Sequence, residues 1–171
     1  QHMSQHNLYI DNKLVISRDF KAPKNLVFKA LSEADRFEQW WGPSGFTTRV
    51  ATFDFRPEGT CHYCLASPEG DTMWGRFVFK EILPNKKMEF LNCFSDENAG
   101  VIRAPFNETW PLEMFNIITL EETNGTTVLT LIIAPYNASD AEIKTFAENH
   151  ENMEAGFKGT LDRLEDYLLK N

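Results

Sequence analysis

The feature that most constrains the fold is a long amphipathic segment at residues 139–169, which follows a series of strand-like segments. Its apolar side chains recur mainly three or four residues apart, the spacing that places them on one face of an α-helix. They are Ile143, Phe146, Met153, Phe157, Leu161, Leu164 and Leu168. Ser139 and Glu142 have the spacing of a capping box, which predicts that the helix begins there. At about 1.5 Å per residue, one helix of this length would span roughly 45 Å, longer than a small flat sheet is wide. We therefore expect a sheet that bends around the helix and can enclose a pocket.

The segments before this helix predict seven strands and two short helices. Strands are expected at residues 13–20, 46–55, 60–67, 73–83, 87–94, 112–121 and 127–134. Proline favours the first turn of a helix, so the first helix begins at Pro23, and the second covers residues 34–39. Turn residues separate the strands, Asn124 with Gly125 marks a hairpin, and a longer loop is expected at residues 95–111. Because the connections are short, consecutive strands should pair as antiparallel neighbours, which predicts an α+β fold.

Composition narrows the class of protein. The 171 residues are enough for one domain, expected at residues 8–171, and 42% of them are hydrophobic and 13% aromatic. Residues 1–7 are interpreted as a cloning remnant and a flexible N-terminus. The net charge of −8, without a basic cluster, argues against a nucleic-acid partner. No apolar run approaches the roughly 20 residues that cross a bilayer, and no signal-peptide pattern opens the chain, so we expect a cytoplasmic protein without membrane insertion.

Several landmarks, specific only in combination, carry a resemblance to a known family. They are Ala22 and Pro23 with Phe28 and Ala30, the run Phe-Glu-Gln-Trp-Trp-Gly-Pro at residues 37–43, the run Asp-Phe-Arg-Pro-Glu-Gly at residues 54–59, the run Lys-Glu-Ile-Leu-Pro at residues 80–84, and the helix residues Gly156, Phe157, Leu161, Leu164 and Leu168. Over residues 13–169 the chain resembles the family of homologues of the activator of the heat-shock-protein-90 ATPase (AHSA-type), within the START-like, Bet v 1-like or SRPBCC superfamily. It departs from the family at Thr60, where a second glycine is frequent, and at His62, where an aromatic residue is frequent. Residues 94–97 and 109–113 are similar to a bacterial branch of the family.

The resemblance implies a helix-grip START-like (Bet v 1-like) fold. In this fold a curved antiparallel sheet is wrapped around a long C-terminal helix, with two short helices after strand 1. A cavity between the sheet and the helix would then bind a small hydrophobic molecule. The alternative is that aromatic side chains fill the interior as a packed core. Because one fold hosts many activities, the function has to follow from the residues of the candidate site.

Alternation along the strands predicts which side chains face the hollow of the sheet. They are Gly75, Phe77, Phe79, Met88, Phe90, Asn92, Phe94, Met114, Asn116, Ile118 and Leu120, with His62 and Cys64 on the same face. Tryptophans near the ends of the sheet suit the rim of a cavity, although capping of the core is the alternative. The candidate ligand-binding residues are therefore Trp40, Trp41, Phe55, His62, Cys64, Phe77, Phe79, Met88, Phe90, Asn92, Trp110, Met114, Asn116, Met153 and Phe157. Asn92, Asn116 and His62 would be the few polar groups that orient a ligand.

Other chemistry finds little support in the sequence. Cys61 and Cys64 would point to opposite faces of a strand, which argues against a redox pair or a metal site. No nucleophile elbow, phosphate loop, dinucleotide fingerprint or zinc-protease motif is present, so we assign no catalytic residue, no metal ligand and no cofactor.

Gly156 costs about 1 kcal/mol relative to alanine inside a helix. Close approach of the helix to the sheet is the favoured explanation for this glycine, and space left for a ligand is the alternative.

Three functions remain open. The leading hypothesis is a non-enzymatic protein that binds a small hydrophobic molecule. The resemblance implies a second, a co-chaperone that stimulates a heat-shock ATPase and has a chaperone as its partner. The third, a type found elsewhere in the superfamily that the chain resembles, is an enzyme of the cyclase or dehydratase type, with His62 as acid or base because histidine titrates near neutral pH. Both a monomer and a homodimer are compatible with the sequence.

Overall fold

The computed structural model describes residues 12–171, so the expected boundary at residue 8 and the N-terminal remnant at residues 1–7 lie outside the described residues. The strands are β1 Leu14–Phe20, β2 Thr47–Phe53, β3 Thr60–Ala66, β4 Thr72–Leu83, β5 Lys87–Ser95, β6 Val101–Ile102, β7 Glu113–Thr123 and β8 Thr126–Tyr136. The helices are α1 Lys24–Ser32, α2 Ala34–Phe37, α3 Asp140–Glu148 and α4 His150–Lys170. The predicted order of elements is confirmed with two differences: a short strand β6 lies inside the predicted loop, and the C-terminal segment forms two helices.

In the described part of the chain, the strands form one antiparallel sheet in the order β1-β8-β7-β5-β4-β3-β2. The additional strand β6 pairs with Phe94 and Ser95 at the end of β5, beyond the residues of β5 that pair with β7. The strand register shifts after Val50 in β2 and after Phe79 in β4. Such irregularities bend a strand and increase its twist, which helps the sheet to curve.

The core lies between the inner face of this sheet and helices α1, α2 and α4. Phe37 of α2 is almost completely buried, and its ring lies 5.8 Å from both Trp40 and Phe77 in edge-to-face contacts. Leu161 and Leu164 bring the apolar face of α4 into the same core. The curved antiparallel sheet packed around a C-terminal helix confirms the predicted helix-grip START-like fold.

The C-terminal amphipathic segment breaks at Asn149. This residue has φ −110° and ψ 14°, and its Nδ2 donates to the carbonyl oxygen of Thr145 at 2.8 Å. Asparagine competes with a helix by bonding nearby backbone groups, so the prediction of one continuous helix was wrong at this point. The predicted start is confirmed, because Ser139 Oγ accepts from the N–H of Glu142 and Glu142 Oε1 accepts from the N–H of Ser139. None of the described helices is long and apolar enough to cross a membrane.

The strand β3 has the opposite phase to the one predicted from the sequence. Tyr63 faces the hollow of the sheet, with its ring directly over Gly75 on β4. Since neighbouring residues of a strand alternate, His62 and Cys64 lie on the outer face of the sheet, away from the helices. There His62 stacks on Trp74 at a ring distance of 4.6 Å. The expectation that His62 and Cys64 face the hollow was therefore wrong.

Candidate ligand-binding cavity

A cavity of about 320 Å³ lies between the inner face of the sheet and α4. Strands β3, β4, β5 and β7 contribute its floor, α4 its roof, and residues 41–46 and 110–112 its rim. The lining residues are Trp41, Gly42, Pro43, Phe46, Tyr63, Leu65, Met73, Trp74, Gly75, Asn92, Cys93, Phe94, Trp110, Pro111, Leu112, Met114, Met153, Gly156, Phe157 and Thr160. None of these described residues carries a formal charge, and aromatic and other apolar side chains dominate.

Six of the residues predicted from the sequence line this cavity. They are Trp41, Asn92, Trp110, Met114, Met153 and Phe157. Among the aromatic neighbours of Trp41, the ring distances are 5.3 Å to Phe77, 6.1 Å to Tyr63 and 6.4 Å to Phe157. Trp41 therefore joins the core, the floor and α4 at the rim of the cavity.

The other predicted residues do not line the cavity. Trp40 is buried in the core and its indole N–H donates to the carbonyl oxygen of Ala30 at 2.9 Å, so it caps the core rather than forming a rim. Phe55 packs edge-to-face on Phe79 at 4.9 Å and does not line the cavity. Below the cavity, the buried core contains Phe77, Phe79, Met88, Phe90 and Asn116.

His62 and Cys64 are absent from the cavity walls because they belong to the outer face. Only 5% of His62 is exposed, and its Nε2 hydrogen-bonds the carbonyl oxygen of Asp96 at 3.0 Å. The loop after Asp96 covers this part of the outer face, where Arg76 Nη1 donates to the carbonyl oxygen of Ala99 at 2.9 Å. His62 therefore cannot act as an acid or base on a molecule in the cavity from its observed position.

Several cavity residues were missed by the sequence analysis. Tyr63 and Leu65 were missed because β3 was assigned the wrong phase. Residues 42–46 and Thr160 were missed because the rim loop is irregular and its approach to α4 is a tertiary contact. Gly75 opposite Tyr63 was the available signal, since a glycine inside a strand often marks a place where another group approaches closely.

Gly75 makes room for Tyr63. A Cβ atom at Gly75 would lie 2.4 Å from both Cζ and the hydroxyl oxygen of Tyr63, far inside contact distance. The ring therefore crosses β4 toward β5, where Phe94 pairs with Gly75. Its hydroxyl thereby lies on the cavity floor, two residues along β5 from Asn92.

The two predicted asparagines form a pair of which only one member reaches the cavity. Asn116 is 3% exposed, and its Nδ2 donates to Asn92 Oδ1 at 2.9 Å and to the carbonyl oxygen of Met114 at 3.3 Å. Asn92 is half-buried and lines the cavity. The amide nitrogen of Asn116 is thus bonded to protein groups, and the amide of Asn92 borders the cavity.

Two side chains of α4 fasten the rim loop. Arg163 Nη1 donates to the carbonyl oxygens of Trp41, Gly42 and Pro43 at 3.2, 3.0 and 3.0 Å. Thr160 Oγ1 donates to the same Gly42 carbonyl at 3.1 Å. Burial lowers the pKa of Arg163 from its ordinary value. The loop and α4 therefore form one side of the cavity as a connected unit.

The groups near the cavity are held neutral. Burial raises the pKa of the Tyr63 hydroxyl well above its ordinary range, Cys61 adds to this, and the neighbouring Trp41 acts in the opposite direction. Burial also raises the pKa of the Cys61 and Cys93 thiols, although Arg76 partly offsets the effect at Cys93. Among the described residues no cluster of histidine, cysteine and carboxylate side chains could hold a metal ion.

The fold and the cavity define a protein of the helix-grip START-like class. The sequence matches the model of the family described as activator of Hsp90 ATPase homolog 1-like protein over residues 21–169, so the chain belongs to this family. No curated protein matches the chain.

Solved structures share this fold. A protein from Arthrobacter aurescens has a TM-score of 0.78 at 23% identity, with 94% of this chain and 87% of that chain covered. A protein from Mycobacterium smegmatis has a TM-score of 0.73 at 23% identity, covering 92% and 90%. The AHSA1 protein from Silicibacter pomeroyi has a TM-score of 0.70 at 20% identity, covering 93% and 99%. At these identities the likeness concerns the fold alone.

Proposed function

We propose that this protein binds a small, uncharged and largely apolar molecule in the cavity between the sheet and α4. The observation that carries the proposal is the cavity of about 320 Å³ itself, which the protein's own side chains leave unfilled. Its volume lies at the lower end of the range of about 300–1,000 Å³ typical of ligand pockets, and its apolar walls with few polar groups match their usual composition.

Gly156 supports the proposal from the side of the helix. A Cβ atom at this position would meet no atom within 4 Å, so the helix does not need glycine for close approach to the sheet. The favoured sequence-based explanation for Gly156 was therefore wrong. The absence of a side chain keeps the space beside Met153 and Phe157 accessible, which agrees with the alternative of room for a ligand.

A binding assay with one blocking variant and one matched control tests the proposal. The probe is N-phenyl-1-naphthylamine, a neutral compound whose fluorescence rises in apolar surroundings. We expect saturable binding to the protein, weakened at least tenfold in Gly156→Trp, because an indole there would occupy the cavity. Ala155→Trp places the same side chain one residue away, at an exposed position outside the cavity lining, and should bind the probe normally.

Two results of this assay would refute the proposal. One is a protein that shows no saturable binding of the probe. The other is equal binding by Gly156→Trp and Ala155→Trp, which would place the probe elsewhere. Circular dichroism of both variants establishes that they are folded before binding is compared.

The chaperone partner implied by the family resemblance stays a prediction. The family description names an activator of a heat-shock ATPase, and that name is its support. Co-precipitation of the protein with a heat-shock-protein-90 chaperone and measurement of ATP turnover with and without it would test the idea. Unchanged turnover together with no co-precipitation would remove it.

A further inference from the structure

We propose that the molecule in the cavity carries a neutral hydrogen-bond acceptor, such as a ketone or ester carbonyl oxygen, and that the side-chain N–H of Asn92 binds it. This inference rests on the proposed function of the cavity and names the chemical class of its ligand. It depends on which way the amide of Asn92 points, and the structure fixes that direction.

The orientation of the amides starts from a backbone carbonyl. The oxygen of Met114 can only accept a hydrogen bond, so the atom of Asn116 that faces it must be the amide nitrogen. The second hydrogen of that nitrogen is donated to Asn92, so the atom of Asn92 that faces Asn116 must be its oxygen Oδ1. A reversed Asn92 would place two N–H groups against each other.

As a consequence, the side-chain nitrogen of Asn92 has two hydrogens that it can donate into the cavity. Asn92 Oδ1 is occupied by Asn116, and no described residue accepts a hydrogen bond from Asn92 Nδ2. Nδ2 is also not among the described side-chain atoms that are buried without a partner, so it keeps accessible surface, and Asn92 lines the cavity. An acceptor on a bound molecule would satisfy this nitrogen.

Tyr63 adds a second donor on the same floor. Burial keeps the hydroxyl protonated because its pKa is raised. No described group accepts the hydroxyl hydrogen. Asn92 Nδ2 can only donate, and the Tyr63 hydroxyl can donate as well, a combination that favours an acceptor on the ligand.

Charge distinguishes a carbonyl from a carboxylate. A carboxylate in the cavity would lose its hydration, and a buried charge without a partner is costly. No described lining residue is cationic, and the nearby guanidinium of Arg163 is bound to three backbone carbonyls of the rim loop. The acceptor should therefore be neutral.

The experiment compares benzophenone with diphenylmethane, which differ by a carbonyl in place of a methylene. Affinities of both compounds are measured by displacement of N-phenyl-1-naphthylamine from the wild-type protein and from Asn92→Leu, which has nearly the same shape without the amide. Without a donor in the cavity, the carbonyl should weaken binding, because it loses its hydrogen bonds to water when it enters. We expect the affinity ratio of benzophenone to diphenylmethane to fall about tenfold in Asn92→Leu, the effect of roughly one hydrogen bond.

Asn116→Asp tests the orientation itself. A carboxyl group at residue 116 would accept from Asn92, so the amide of Asn92 would turn and present its oxygen to the cavity. The preference should then move from benzophenone toward diphenylmethanol, which offers an O–H donor. A merely structural role of Asn116 would weaken the three compounds equally, and if this variant does not fold, the ratio in Asn92→Leu decides.

The outcomes separate the two proposals. If the wild-type protein binds both compounds and Asn92→Leu leaves their affinity ratio unchanged, the inference about the acceptor is overturned while the cavity keeps its proposed function. If the wild-type protein binds neither compound nor the fluorescent probe, both proposals are overturned. Irradiation of bound benzophenone, followed by mass spectrometry, should label Met114 or Met153, since both line the cavity.

Discussion

Gly75→Ala is expected to destabilise the protein, because the added methyl group would collide with Tyr63. The Cβ atom would lie 2.4 Å from the ring, whereas ordinary contacts begin at 3.4 Å, so the ring must move by about 1 Å. Overpacking of this kind costs about 1–3 kcal/mol. Replacing a strand glycine by alanine stabilises by about 0.5–1 kcal/mol, so we expect a net loss of roughly 0–2.5 kcal/mol in the free energy of unfolding.

Urea unfolding followed by tryptophan fluorescence measures this change. The midpoint should fall while the dependence of the free energy on urea stays constant. Tyr63→Leu provides the matched background, because leucine lacks the atoms that the new methyl group would meet. In that background Gly75→Ala should be neutral or slightly stabilising. Equal effects of Gly75→Ala in both backgrounds, or a stabilisation of the wild type, would refute a collision with Tyr63 as the cause.

Two further predictions concern other parts of the molecule. Gly156→Ala should raise the free energy of unfolding by about 1 kcal/mol, because alanine is the better helix residue. A Cβ atom at this position meets nothing within 4 Å, so no collision offsets the gain. A lower urea midpoint of the variant would show that the space at residue 156 is not open. Stability should fall on acidification below about pH 4, because the N–H groups of Gly100 and Asn98 lower the pKa of Asp96, and Arg18 and Lys158 lower that of Asp162. A carboxyl whose pKa is lower in the folded than in the unfolded state stabilises the fold above its unfolded pKa, and this contribution is lost as the pH falls through the folded value. Urea midpoints between pH 2 and pH 6 should therefore decline less steeply for Asp96→Asn than for the wild type, and parallel curves would exclude the role of Asp96.

Local patterns predicted most of the fold. The strand boundaries agree to within about two residues, and the capping box at Ser139 marked the start of α3 correctly. Turn chemistry and hydrophobic periodicity are local properties of the chain, so they can be recognised without knowledge of tertiary contacts. The break at Asn149 was missed because apolar residues continue in phase on both sides of it.

The cavity was predicted less completely, and β3 shows why. Residues Cys61–Cys64 are all buried, because the loop after Asp96 and the ring of Trp74 cover the outer face. Alternation of polar and apolar residues identifies the inner face only where the outer face meets water. Where both faces are covered, the pattern no longer shows which residues point inward. The sequence analysis therefore assigned His62 instead of Tyr63 to the inner face. The rim loop depends on contacts with α4 that no local pattern encodes.

The attachment of the rim loop to α4 has a consequence for how molecules would exchange with the interior. Arg163 and Thr160 bind carbonyl oxygens of the main chain, so replacement of the side chains at residues 41 or 43 leaves the attachment in place. Loop and helix would thus have to shift together, whereas at Gly156 the wall of the cavity carries no side chain and a Cβ atom would meet nothing within 4 Å. The residence time of a guest would then depend on the bulk of residue 156, independently of the groups that recognise it.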